Sequence, residues 1–338
     1  MPITSKPGAL PLVMALDPGY GNTKVCVDGQ IGMLQSAVSR PRDVGLAGIG
    51  LRTAGRNVPV IGFDGQRFAV GPYAWAKGDP LTSMDYGAIT SPERTALFYG
   101  AVAVALPKVI EHARAQDGEA LVEAVLVVGL PVPLLQDTAE AQSVLESLKG
   151  YKRTHVFTVN GDETTFTVTG LKVLAQPVGA YLDWLYDEQL APRPGAGKTE
   201  VAVIDIGMNT LDLFVVQSGQ VMERHVGGAE VGVRRLLEIL TSNGHDLVET
   251  DALLRGGALS VSGAQLETWL GEILAAVKRI WPKLARFTAV IPTGGGAIVL
   301  GERLKWALTT KGAALHWPAD PVTSNVRGLW KYGAKKHG

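Results

Sequence analysis

"PGAGKTEVAVIDIGMNTLDL", residues 194–213, carries two phosphate signals that exclude one another. Gly195-Ala196-Gly197-Lys198-Thr199 resembles the end of a P-loop, whereas Asp205-Ile206-Gly207-Met208-Asn209-Thr210 resembles a tight turn between two strands. A P-loop needs Gly-x4-Gly-Lys-[Ser/Thr] between a strand and the helix that follows it. Counting back from Gly197, the first glycine falls at position 192, where Pro192 stands. The order of elements is wrong as well: a helical stretch leads through the loop into the strand EVAVIDIG. No helix N-terminus follows Lys198 to aim its amides and dipole at phosphates. Residues 194–199 therefore read as a surface loop ahead of a strand, inside the Pro- and Gly-rich stretch APRPGAGK.

The second signal has a counterpart near the start of the chain. Asp17-Pro18-Gly19-Tyr20-Gly21-Asn22-Thr23-Lys24 shares its Asp-x-Gly core followed by Asn-Thr, again with an apolar strand on either side. Two such units far apart imply a duplicated domain, with the half-boundary near Gln176-Pro177. Small residues at the tip of a strand-turn-strand let backbone N–H groups form an anion-binding nest. Gly19, Gly21 and Gly207 permit φ > 0 and a close approach to phosphate oxygens. Asn22, Thr23, Asn209 and Thr210 add side-chain donors, and Asp17 and Asp205 are acceptors suited to Mg²⁺ through its water shell. Lys24 reads either as a phosphate contact or as an outward lysine on a strand. A third element, AVIPTGGGAIVLGERL, places Gly294, Gly295 and Gly296 after an apolar strand and before a helix starting near Ala297. Three glycines there allow a flat group to lie close, beside the unpaired N–H groups of the helix start.

The rest of the chain fits an α/β protein. VEAVLVVGLPV is a continuous apolar run, the mark of a strand buried on both faces. HVFTVNGDETTFTVTGLKVL alternates around Asn160-Gly161, a hairpin signal. SPERTALFYGAVAVALPKVIEHARAQ has Ser91 at the N-cap and Pro92 at the first helical position. Further helices are expected near 137–149, 177–190, 229–242, 263–284 and 298–310. With 338 residues, 46% hydrophobic and 19% charged, the chain has room for two cored domains. Equal numbers of acidic and basic residues, 32 each, argue against direct nucleic-acid binding. Cys26 stands alone, so no internal disulfide forms; a strand-core position and a cytoplasmic home are expected. No apolar run reaches the roughly 20 residues of a membrane span. The opening MPITSKPGALP reads as neither signal peptide nor amphipathic anchor, so no membrane partner is expected.

In this order, the three glycine motifs resemble those of the actin-like ATPases, the superfamily that includes sugar kinases and heat-shock chaperones. LDPGYGNTKV is similar to the phosphate-1 motif, VIDIGMNTLDL to phosphate-2 and IPTGGGAIVL to the adenosine motif. GLPVPLL and the close DPVTSNVRGLWKYG resemble ParM-type plasmid-segregation actins and archaeal, bacterial-style actins. The resemblance implies two ribonuclease-H-like domains flanking a cleft for Mg-ATP: residues 1–175 with a returning segment at about 318–338, and residues 176–317. It implies that Gly19, Tyr20, Gly21, Asn22, Thr23 and Lys24 hold phosphates, with Gly207, Met208, Asn209 and Thr210 opposite. It further implies Asp17 and Asp205 at the magnesium ion, Asp205 among the catalytic groups, and Gly294, Gly295 and Gly296 at the adenosine. Gly227, Gly228 and Glu230 match a stretch near the ribose. A residue that orients the attacking water comes, by the same resemblance, from PLLQDTAEAQ; Gln136, Asp137 and Glu140 are the candidates, with Glu140 preferred. The implied activity is ATP-dependent, head-to-tail polymerisation that moves plasmid DNA through a DNA-binding adaptor. The alternatives are a small-molecule kinase of the same superfamily, and a filament or scaffold unconnected with segregation.

Overall fold

A computed structural model describes residues 11–42, 58–72, 74–81, 89–116, 123–136, 138–241 and 247–337. The chain divides into two units: Met1–Leu130, Leu134–Gln176 and Leu329–Gly338 form the first, and Pro131–Pro133 with Pro177–Gly328 the second.

The first unit is built on ten strands: β1 (Leu12–Pro18), β2 (Asn22–Val27), β3 (Gln30–Gln35), β4 (Val38–Pro41), β5 (Val60–Phe63), β6 (Gln66–Val70), β7 (Gly78–Pro80), β8 (Glu123–Leu130), β9 (Thr154–Val159) and β10 (Asp162–Ala175). They join in the order β3-β2-β1-β8-β10-β9-β5-β6-β4-β7. The apolar run of β8 lies parallel to both β1 and β10, and every residue after Glu123 is buried. A strand flanked on both edges and covered on both faces has no place for a polar side chain, which is why the alternation disappears there. The β9–β10 hairpin turns through Asn160 (φ 54°) and Gly161 (φ 101°), the left-handed pair that a two-residue turn requires.

Helix α1 (Pro92–Gln116) starts as expected, the Arg94 N–H donating to Ser91 Oγ at 3.3 Å. It lies so close to β3 that a Cβ on Gly32 would sit 2.1 Å from the Ala101 carbonyl oxygen. Cys26 is fully buried in β2. Aromatic side chains fill the far part of this core, where Tyr99 stacks on Phe157 at 4.3 Å. His155 is buried among them: Nε2 donates to the Tyr151 carbonyl at 2.8 Å, so Nδ1 accepts from the Tyr99 hydroxyl at 2.9 Å. Burial holds its pKa below the usual histidine value and the ring stays neutral. Two further helices, α2 (Val132–Gln136) and α3 (Thr138–Leu148), follow β8.

The second unit carries β11 (Glu200–Ile206), β12 (Leu211–Gln217), β13 (Gln220–Val221), β14 (Gly227–Ala229) and β15 (Ala289–Thr293), ordered β13-β12-β11-β15 with β14 on β12. Its helices are α4 (Gln176–Leu185), which begins on the last residue of the first unit, α5 (Val233–Leu240), α6 (Leu247–Arg255), α7 (Gly263–Ile280), α8 (Gly295–Leu300), α9 (Glu302–Thr310) and the start of α10 (Ser324–His337). Trp269 and Trp281 anchor the core beneath β11 and β15. A reciprocal cap between Ser262 and Gln265 starts α7.

Four expected helices have different limits, and the one expected to reach residue 284 ends at Ile280. The one expected to reach residue 190 ends at Leu185, because Asp187 Oδ1 takes the N–H groups of Gln189 and Ala191 and bends the chain back. The one expected from residue 229 starts at Val233, since Gly227–Ala229 are drawn into the sheet as β14. The stretch expected as one helix over 298–310 is two, α8 and α9, split at Gly301 with φ 48°.

Candidate functional site

In the first unit β1 and β2 form an antiparallel ladder in which Asp17 is opposite Lys24. Asp17 is 2% exposed, and its carboxylate accepts from Lys24 Nζ at 2.7 Å and from Gln176 Nε2 at 2.8 Å. Lys24 is thus not an outward surface lysine: one of its three N–H donors goes to a buried acid. The turn between the strands is tight enough that a Cβ on Gly19 would meet the Asn22 carbonyl oxygen at 2.6 Å. Ser36 braces the turn from behind, its N–H on the Gly21 carbonyl at 3.1 Å and its hydroxyl on the Gly19 carbonyl at 2.6 Å. Thr23, expected to offer its hydroxyl outward, is turned inward: it is 1% exposed and 2.9 Å from Ser36 Oγ. Tyr20 lies under the Arg94 guanidinium, 4.6 Å from ring centroid to charge.

The second unit repeats the hairpin with β11 and β12, in which Asp205 is opposite Asp212. Asp205 Oδ2 accepts from Asn325 Nδ2 at 2.7 Å, and the acid is 5% exposed. Asp212, 2% exposed, accepts from the Thr210 hydroxyl at 2.9 Å; its Oδ1 is a buried oxygen with no partner among the described residues. Burial, and after it the charge of Asp205, raise the Asp212 pKa to about 7 against the pull of the Thr210 hydrogen bond. The turn is pinned to the start of α5: Val233 and Arg234 donate their N–H groups to the Gly207 and Met208 carbonyls at 3.0 and 2.7 Å. Asn209 Oδ1 is likewise buried without a partner among the described residues.

The three glycines after β15 differ from one another. Gly294 has φ 86°, and a Cβ there would sit 2.3 Å from the Ile206 carbonyl oxygen and 2.6 Å from Asp205 Oδ1. Its N–H and the Thr293 hydroxyl both donate to the Pro321 carbonyl, at 2.9 and 2.6 Å. Gly296 packs on the Ile206 side chain, while a Cβ on Gly295 would meet nothing within 4 Å. Of the three, Gly295 alone presents an open face. The helix begins at Gly295 rather than near Ala297, which puts the last two glycines in its first turn.

Residues 15–179 match the family described as the N-terminal domain of actin-like proteins. An archaeal actin homolog of Thermoplasma acidophilum is 28% identical over 321 residues, covering 87% of this chain and 90% of its own length. Among solved structures, one of a 15-stranded ParM filament from Clostridium botulinum has TM-score 0.70 at 17% identity, covering 97% of this chain and 100% of that one. An archaeal actin homolog in complex with ADP has TM-score 0.65 at 23% identity, covering 96% and 99%. The fold is actin-like.

Within the actin-like fold, the remaining expected residues lie on other elements, with Gly228 standing opposite Asp212 in the β12–β14 ladder. Gln136 is exposed at the end of α2, and Glu140 is half-buried in the first turn of α3. Asp137 lies outside the described residues. Gly227 and Gly228 belong to β14, where a Cβ on Gly227 would meet Ile280 at 2.4 Å and one on Gly228 the Leu211 carbonyl at 2.7 Å; Glu230 is exposed. Lys198 closes a single 3-10 turn and leads directly into β11, with no helix behind it. The sequence reading missed Ser36, Arg94, Gln176, Asp212 and Asn325. Asp212 had a usable signal, because it stands seven residues after Asp205 as Lys24 stands seven after Asp17. Among the described residues no helix is long and apolar enough to cross a membrane.

Proposed function

We propose that this protein is an ATPase that polymerises with ATP, with the glycine hairpins as its phosphate-binding elements. The observation that carries the reading is the repeated hairpin itself: a buried aspartate ends the first strand of each, in the same register. Phosphoryl transfer is mainly positioning and charge stabilisation, so a fold needs donors for the phosphates and acids for a metal. Gly19 to Asn22 with Lys24, and in the second hairpin Gly207 to Thr210, supply the former. Gly295 offers the adenosine its open face, and Glu140, with Gln136 as substitute, orients the attacking water.

The acids of the second hairpin fit a magnesium ion held largely through water. Two buried carboxylates opposite each other are a like-charge pair that a divalent cation relieves, and Asp212 Oδ1 has an unused lone pair. Asp17 fits less well, as Lys24 and Gln176 already occupy its carboxylate. Among the described residues no cluster of three metal-ligating side chains exists, so direct ligation by protein alone is not part of the reading. Magnesium, when bound, neutralises charge on the transferring phosphates.

Self-association follows the relatives, one of which is a ParM filament. Identical subunits joined head to tail form open polymers. Cargo, plasmid DNA in this reading, is reached through a DNA-binding adaptor, in keeping with a formal net charge of zero. Pelleting and light scattering with Mg-ATP, Mg-ADP and no nucleotide test the proposal: scattering is expected to rise with Mg-ATP and stay low without nucleotide. Flat scattering at high protein concentration, with ADP release stimulated by a sugar, would transfer the site to the kinase reading.

A further inference from the structure

The donors that surround the first glycine turn converge on one carbonyl. Gly19 C=O accepts from Ser36 Oγ at 2.6 Å and lies 3.5 Å from Arg94 Nη1. Ser36 has a single hydroxyl proton and spends it on Gly19, so the Thr23 hydroxyl, 2.9 Å away, donates to Ser36 Oγ. The result is a relay, Thr23 O–H to Ser36 O–H to Gly19 C=O, in which each bond polarises the next. Ser36 also gives its backbone N–H to the Gly21 carbonyl, so one residue holds the glycines on both sides of Tyr20.

Arg94 closes the arrangement from the first turn of α1. It is 8% exposed, with its guanidinium over the Tyr20 ring, and burial, opposed by the two tyrosines Tyr20 and Tyr151, lowers its pKa from the usual arginine value. A planar guanidinium both stacks on a ring and donates in its own plane, which an ammonium does not do. Arg94 thus touches the turn twice, at the Tyr20 side chain and at the Gly19 carbonyl.

A peptide unit is planar and trans, so the Gly19 carbonyl and the Tyr20 N–H point in opposite directions. Fixing one fixes the other. We propose that Ser36, with Arg94, is a positioning residue for phosphate binding: by drawing the Gly19 carbonyl inward it turns the Tyr20 N–H outward to a phosphate oxygen of the nucleotide. This rests on the nucleotide reading above and adds to it two residues that none of the three glycine motifs contains. It also gives buried Thr23 a part in phosphate binding without contact, through Ser36.

The test is nucleotide affinity measured by displacement of a fluorescent ATP analogue, with Mg-ATP, Mg-ADP and adenosine as competitors, for the wild type, Ser36→Ala, Ser36→Thr and Arg94→Lys. Ser36→Ala is expected to weaken Mg-ATP and Mg-ADP about tenfold, the net worth of one well-placed hydrogen bond. Adenosine, which has no phosphate, keeps its affinity within about twofold, and the Ser36→Thr hydroxyl restores ATP binding. Arg94→Lys, which keeps the charge and loses the stack, is expected to give the same phosphate-selective loss and serves if Ser36→Ala fails to fold. Unchanged Mg-ATP affinity in both Ser36→Ala and Arg94→Lys overturns the inference. So does an equal loss for ATP and adenosine, which marks a merely structural role. A wild type that binds no nucleotide overturns the functional reading itself, and the brace with it.

Discussion

At the end of β1 the buried Asp17 faces Lys24 across the ladder; at the end of β11 the buried Asp205, in the same place of the repeat, faces Asp212. One position thus carries a cation in the first unit and an acid in the second. The first hairpin closes its own charge, with Lys24 at 2.7 Å and Gln176 at 2.8 Å on one carboxylate. The second concentrates acid in a buried place, enough to push the Asp212 pKa up to about 7. The two hairpins thus differ in charge at matching positions: the first is neutralised from within, and the second is doubly acidic. The lesson is that a repeat is most informative where its copies differ.

The largest expected effect is on turnover. Asp205→Ala should lower steady-state phosphate release on the order of 100-fold, as loss of a buried electrostatic group at a reacting centre does, while Lys198→Ala stays within about twofold of wild type. Loss of activity in the lysine variant would break the comparison by returning the phosphates to residues 195–199. Next comes Lys24→Met, which leaves the Asp17 carboxylate buried without its cation. Urea unfolding should show a loss of about 2–3 kcal/mol, and an unchanged midpoint would mean that the first hairpin does not depend on its internal charge balance. The glycines after β15 sharpen the picture further. Gly294→Ala should cost roughly 1–3 kcal/mol because its φ is 86° and its Cβ would meet backbone. Gly295→Ala, facing open space, should change stability by less than about 0.5 kcal/mol while weakening adenosine nucleotides.

The smallest effect is a pH slope. Folded Asp212 keeps its proton up to about pH 7, whereas an ordinary aspartate releases it near 3.8. A raised carboxyl pKa gives stability that is fully present below the unfolded value and is lost as pH rises through the folded one. The nucleotide-free protein should therefore lose stability between about pH 4 and 7, and Asp212→Asn should flatten that slope and raise stability at pH 8. His155 in the first unit runs the other way: its lowered pKa gives stability present above the unfolded value and lost as pH falls through the folded one. Melting curves from pH 4 to 8 for Asp212→Asn and His155→Gln separate the two contributions.

What the chain showed before its structure was local. The glycine turns, the Asn160-Gly161 hairpin, the continuous apolar run of β8 and the Ser91-Pro92 helix start are all written in neighbouring residues and form where expected, although Gly19, Gly21 and Gly207 do not adopt the positive φ that they permit. The partners of the two aspartates are not. Gln176 reaches Asp17 across 159 residues and Asn325 reaches Asp205 across 120, so no window of sequence holds both ends of either bond. Ser36 is nearer, 17 residues from Gly19, but a serine after a strand looks the same whether it braces a turn or faces water. Helix ends failed for a related reason: Asp187 stops α4 by an Asx turn, and Gly227–Ala229 leave a helical pattern because β12 offers them a ladder.

The most direct test of the nucleotide reading is the binding stoichiometry of Mg-ATP by titration calorimetry, for the wild type and for one variant in each hairpin, Lys24→Met and Asn209→Ala. The account predicts one nucleotide per chain and an affinity at least about tenfold weaker in either variant. Two nucleotides per chain, or full affinity in a variant of either hairpin, would contradict it.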